Sequence, residues 1–178
     1  TNLKNERIFS SEFSYQYRNA WLSANVSGYY SRLENVTEWQ NFYNDDENSF
    51  TYLGMTGLEK EYYGIEAGLD FKVASFLNFK AIGTISDAKN INNANVNYML
   101  SKSAEVVKDY AYIKDMRESG TPLTIGSLAL DFHKSGWFVN LNANWYDRIY
   151  LSYSPSYRYK SSLKNRDMLF NDEPLPGS

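Results

Sequence analysis

Apolar and polar residues alternate one by one through several stretches of the chain. Tyr63, Ile65, Ala67, Leu69, Phe71 and Val73 are separated by Gly64, Glu66, Gly68, Asp70 and Lys72. Successive side chains of a strand point to opposite faces, so this stretch has one greasy face and one charged face. Leu77, Phe79, Ala81, Gly83 and Ile85 repeat the pattern, with Ile82 out of phase. Trp137, Val139, Leu141, Ala143 and Trp145 alternate with Phe138, Asn140, Asn142 and Asn144. Leu22 to Tyr30, Phe13 to Tyr17 and, more weakly, Leu128 to Phe132 follow suit. The pattern predicts an all-β chain of about six antiparallel, up-and-down strands near 7–18, 20–33, 60–74, 77–86, 123–133 and 137–148.

The connections add a second pattern. Short turns at 18–20, 74–76 and 134–136 join the strands in pairs, while 34–59 and 87–122 are long, as is the segment 149–178. Unstructured loops beyond about 12–15 residues are uncommon in compact domains. Strict alternation of short and long connections is the signature of a transmembrane β-barrel with short periplasmic turns and long extracellular loops. Ten residues at about 3.3 Å each, tilted by about 45°, cover roughly 23 Å, near the ~25 Å apolar band of such barrels. Aromatic residues sit near the strand ends: Trp21, Phe76 and Trp137 by the turns, and Tyr29, Tyr30, Tyr62, Tyr63, Trp145 and Tyr146 by the loops. Such rings suit a membrane–water boundary. Barrels close with about eight strands or more and lipid tolerates no open edge, so the reading expects further strands outside these 178 residues. The same alternation also suits a soluble β-sandwich with a carbohydrate-binding surface, whose apolar face turns inward. A non-energised porin or surface adhesin is a third reading.

Composition narrows the chemistry. The net charge is −3 with no basic stripe, which argues against nucleic acid as a partner. There is no cysteine and a single histidine, His133. Thiolate metal sites, thiol nucleophiles and any constellation of two imidazoles are therefore excluded. His133 lies beside a short turn with no nucleophile near it in sequence, and Glu59 with Glu61 reads as an ordinary charged strand start, so no enzyme is expected. Neither a Gly-x-Gly-x-x-Gly motif nor a P-loop occurs, and no cofactor is expected. Asn35-Val36-Thr37 matches a glycosylation sequon but carries no weight in a bacterial surface loop.

Aromatic content is high, with Tyr 16, Phe 10 and Trp 4, yet mean hydropathy is −0.55. The loops hold many of these rings. Trp39, Phe42, Tyr43 and Tyr52 flank an acidic run, and Tyr153 and Arg158 lie in the last segment. These six are the candidate ligand-binding residues, because rings on loops grip flat ligand faces with few rotatable bonds. Asp45, Asp46 and Glu47 offer oxygens to Ca²⁺ but lack the EF-hand spacing. Residues 103–116 are expected to form a short amphipathic helix, from the spacing of Val106, Tyr110 and Ile113. On the strands, Glu66, Asp70, Lys72, Asn140, Asn142 and Asn144 are expected to face a water-filled lumen.

Residues 57–71, GLEKEYYGIEAGLDF, resemble the Gly-hydrophobic-Glu strand that opens a late barrel hairpin in TonB-dependent outer-membrane receptors. Gly120-Thr121-Pro122-Leu123, Gly136-Trp137-Phe138-Val139 and the run from Trp145 to Tyr150 are similar to later strands of that family. The resemblance is closest to the large Gram-negative receptors with a carboxypeptidase-regulatory-like N-terminal domain. It implies the C-terminal part of an outer-membrane barrel that takes up a scarce, bulky ligand (siderophore, glycan or peptide). It also implies outer-membrane lipid and the TonB–ExbB–ExbD complex as partners, the latter engaged through parts outside this stretch. A surface lipoprotein lid is a further partner of some relatives.

Overall fold

The computed structural model describes residues 4–45, 48–103 and 105–164. Eight strands form one antiparallel sheet: β1 (Arg7–Arg18), β2 (Leu22–Asn44), β3 (Ser49–Ala74), β4 (Leu77–Asn90), β5 (Ala94–Leu100), β6 (Val106–Ala111), β7 (Thr124–Lys134) and β8 (Trp137–Asp147). Six of them run up and down in the order β1-β2-β3-β4-β7-β8, and the sheet is open, with β1 and β8 at its edges. A 3-10 turn (Pro155–Arg158) and a short helix α1 (Lys160–Lys164) follow.

The three short turns form as expected. At the first, the Asn19 side chain accepts from the backbone N–H groups of Trp21 and Leu22 at 2.9 and 2.7 Å, which starts β2 at Leu22 and not at residue 20. At the third, Ser135 and Gly136 take φ of 53° and 81°, the primed geometry that matches strand twist.

Cross-strand register sorts the residues cleanly. Tyr17, Ala24, Leu69, Ala81, Leu128 and Ala143 pair side by side across all six strands, and Leu22, Phe71, Phe79, Leu130 and Leu141 form the row below. Directly opposed residues share a face, so these rows build one apolar face. Trp21 packs edge-on against Phe71, and Phe76 against Phe132, adding aromatics at the turn end. The apolar band ends at Tyr30 and Tyr63, which pair with each other. The next row outward is Arg32, Glu61 and Lys89. Of the loop-side aromatics, Tyr30, Tyr63 and Trp145 therefore lie on the apolar face, while Tyr29, Tyr62 and Tyr146 fall on the opposite one.

Three sequence expectations fail. Residues 34–59 are not a loop: β2 and β3 continue as a paired hairpin as far as Asn44 and Ser49. Residues 87–122 contain the end of β4 and the hairpin β5–β6, so the described residues form eight strands and not six. Nor do the described residues of 103–116 form a helix. Val106 to Ala111 pair with Met99 to Ala94, because adjacent β-branched Val106 and Val107 fit a ladder better than a helical turn.

The core sits beyond the band. Leu53, Met55, Leu58, Ala94, Val96, Ala111, Ile113, Met116 and Tyr159 form one buried cluster, with Val36, Phe42, Tyr98 and Tyr153 packed against it. All belong to the extended hairpin, to β5–β6 or to the segments that return over them.

Candidate functional site

Two phase shifts create the projecting unit. Asn35, at φ 58°, adds one residue to β2, and Gly57, at φ 73°, marks an extra residue in β3. A bulge reverses which parity faces inward. Above them Gln40, Phe42, Thr51 and Leu53 share the inward face, while Trp39, Asn41, Tyr43, Phe50, Tyr52 and Gly54 share the outward one. Trp39 lies over Gly54, where an added Cβ would stand 2.8 Å from the ring. Tyr43 meets Phe50 edge-on at 5.2 Å.

Beyond the point where β1 stops pairing, opposite Glu34, β2 runs on with only β3 beside it among the described strands. A cleft of about 690 Å³ opens along this edge, lined by residues 39–45 and 152–157. That volume falls within the ~300–1,000 Å³ range of binding clefts. The cleft brings together four of the expected ligand residues: Trp39, Phe42, Tyr43 and Tyr153. Tyr52 is on the outward face of the same hairpin, and Arg158 ends the 3-10 turn outside the cleft lining. Burial pushes the Arg158 guanidinium down from its ordinary range. Asp45 lines the cleft in the turn, whereas Asp46 and Glu47 lie outside the described residues.

Sequence reasoning missed the hydroxyl wall. Ser152, Ser154 and Ser156 line the cleft, and the Ser154 and Ser156 hydroxyls lie 2.8 Å apart. Their spacing by two, next to Tyr153, is the only hint in the sequence. Burial pushes the Tyr153 hydroxyl up to about 12, with Glu38 contributing. At neutral pH Tyr153 is an uncharged phenol.

A buried ion group anchors the unit to the wall. The Lys60 ammonium, 8% exposed, contacts Glu38 and lies 2.6 Å from Glu118, which also accepts from Tyr62 at 3.3 Å. Burial alone would push this ammonium down. Its two carboxylate hydrogen bonds outweigh that and hold it above the ordinary lysine range.

The expected lumen residues share one face. Asp70 opposes Lys80, Lys80 pairs with Asp131 at 3.1 Å, and Asp131 accepts from Asn140, which in turn accepts from Asn142. Glu66, Lys72 and Asn144 fall on the same side by register. His133 opposes Phe138 at the turn end of this face. Glu59 is taken up by Arg32, at 2.7 Å, and Glu61 accepts from Tyr30 at 3.0 Å.

No family model, curated protein or solved structure matches the chain.

Proposed function

We propose that this chain is a section of the wall of an outer-membrane β-barrel, with the projecting unit on the cell surface. The barrel would belong to an active transporter of the TonB-dependent kind, taking up a scarce, bulky ligand. One observation carries this reading: the apolar face of the sheet has nothing packed on it among the described residues. Phe13 is 75% exposed, Ile65 61% and Leu141 60%, although register aligns them into continuous rows. Water does not tolerate an apolar area of that extent on a monomer, where patches seldom exceed a few hundred Å². A sandwich would cover the face with a second sheet, and a soluble barrel would curl around it.

Lipid solves the problem. From Tyr63 to Val73 the band spans ten steps of β3, about 33 Å along the strand and roughly 23 Å at a tilt of about 45°. The opposite face, with its Lys80–Asp131–Asn140–Asn142 network, suits a wet lumen. The open edges at β1 and β8 are where neighbouring strands would continue the wall. In this reading the chain does no covalent chemistry. Its work is to hold a ligand-facing surface on a rigid frame, with energy supplied through TonB–ExbB–ExbD contacts elsewhere in the protein.

The test is a gel of isolated membranes, with and without boiling, probed with an antibody to residues 87–119. An outer-membrane band that shifts on boiling supports the barrel. A soluble band with no shift overturns it and favours a soluble sandwich.

A further inference from the structure

We infer that a trough on the apolar face of the wall holds an acyl chain of an anionic phospholipid, with the headgroup at its loop end. The inference rests on the membrane reading above and names a lipid that this wall keeps. The trough has a volume of about 1080 Å³, at the top of the ~300–1,000 Å³ range of ligand sites. Ala67, Gly83 and Gly126 stand side by side in its floor, with Gly28 one row nearer the loops. Phe13, Ile65, Ile85 and Trp145 rise around them on the same face.

The glycines of this floor have no reason among the described residues. On the polar face the Tyr29 side chain roofs Gly64, where an added Cβ would stand 2.8 Å from its hydroxyl, and Asn25 roofs Gly68. Gly28, Gly83 and Gly126 would meet nothing closer than 3.6 Å, and none has a left-handed φ. A methyl group would fit at each, and glycine weakens a strand interior. Strands keep glycine where a ligand or another backbone comes close, and the open side of this floor is the trough.

One-ended polarity selects the occupant. Toward the turns the trough runs into the apolar row of Leu69, Ala81 and Leu128. Toward the loops it meets Asp87 and Arg148, and the next row holds Arg32, Glu61, Lys89 and Arg117. These groups are four cations against two carboxylates, in a chain whose net charge is −3. Further out, Arg7, Glu34 and Glu59 reduce that excess without reversing it. An apolar body below a cationic rim matches a hydrocarbon chain under an anionic headgroup. A peptide on the same floor would leave its main-chain groups unpaired against hydrocarbon.

The experiment takes the full-length protein into discs of equimolar phosphatidylglycerol and phosphatidylcholine, then counts by native mass spectrometry the lipids it keeps on release. The expected result is retained phosphatidylglycerol, roughly fivefold over phosphatidylcholine, as one favourable charge near the headgroup supplies. Gly83→Val with Gly126→Val fills the floor with residues suited to strands and to lipid. That protein should still shift on boiling but lose the retained lipid. Lys89→Glu removes the excess of cations at the rim, and the two lipids should then be held equally. The inference is overturned if a protein that shifts on boiling keeps no lipid, keeps both equally, or keeps phosphatidylglycerol with the floor filled. An undiminished preference in Lys89→Glu overturns it too, and decides alone should the double variant not shift. A protein that enters no disc and shows no shift overturns the membrane reading, and this inference with it.

Discussion

The wall and the projecting unit are made from the same strands, yet they solve burial in opposite ways. In the wall, strands up to the row of Tyr30 and Tyr63 carry large apolar side chains that pack on nothing but their neighbours in the sheet. In the unit, the same β2 and β3 contribute Phe42, Leu53, Met55 and Leu58 to a closed core with β5, β6 and Tyr159. Apart from Leu123, just before β7, every buried hydrophobic residue among the described residues lies in the unit. The difference teaches that the same strands leave an apolar face uncovered in the wall, among the described residues, and cover their own in the unit. Two bulges divide the regimes, at Asn35 and Gly57.

The sharpest way to break that contrast is a cavity in each region. Leu53, 1% exposed, should cost about 2–5 kcal/mol on truncation to Ala, the usual range for a fully buried leucine. Hydrogen exchange should show the loss confined to β5, β6 and the ends of β2 and β3. If the wall strands lost protection equally, the two regions would be one cooperative body and the contrast would collapse.

A charge on the wall probes the missing solvent. Leu69→Arg and Leu141→Arg should each destabilise the protein by roughly 2–4 kcal/mol in a folding titration into lipid vesicles, as a cation at mid-bilayer does. Asn142→Arg, one residue along β8 but on the polar face, should be mild. Equal effects on both sides would show that neither face meets lipid.

Next in size is the ion group that ties the regions together. Lys60→Met leaves Glu38 and Glu118 without their cation. Each is about a third exposed, so the cost should be about 2–3 kcal/mol, below the ~3–5 of a fully buried pair. The pH dependence has a definite sign. Because the folded state holds the Lys60 ammonium above its unfolded range, its contribution is complete below about pH 10.4 and fades only as pH rises beyond that. A wild-type stability curve that fell between pH 6 and 9 for want of this pair would contradict the arrangement.

These regions were unequally legible in the sequence. The wall was readable because most of its strands alternate, Ile82 and the weaker run Leu128 to Phe132 aside, and its turns are two or three residues long, which also put Glu66, Asp70, Lys72 and the three asparagines on their shared face. The extensions were hidden because both faces of the upper hairpin are apolar: Phe50 and Tyr52 face outward while Phe42 and Leu53 face inward. With no alternation there is no period to detect, and each bulge resets the phase. The cleft was half legible. Aromatic density pointed to Trp39, Phe42, Tyr43 and Tyr153, but serines on a loop carry no signature. The contact of Lys60 with Glu118 spans 58 positions, beyond the reach of any local pattern.

The smallest expected effect lies at the boundary itself. Gly57 has φ 73°, a conformation in which a Cβ is strained, although the space around it is open, the nearest atom being 4.0 Å away on Asn95. Gly57→Ala should therefore cost only about 1 kcal/mol, from backbone strain and not from a clash. The bulge is pinned from outside: Asn92 donates to the Gly57 carbonyl at 2.8 Å and accepts from the Glu59 N–H at 2.8 Å. The strained alanine should thus keep the phase that turns Leu53 and Met55 inward. Adding Asn92→Ala removes the pin, and the pair should lose more than the sum of the single changes, because strain and clamp act on one turn of backbone. Strictly additive losses in a thermal melt would mean that the boundary is held by the flanking strands alone, and that the two regions meet without a dedicated joint.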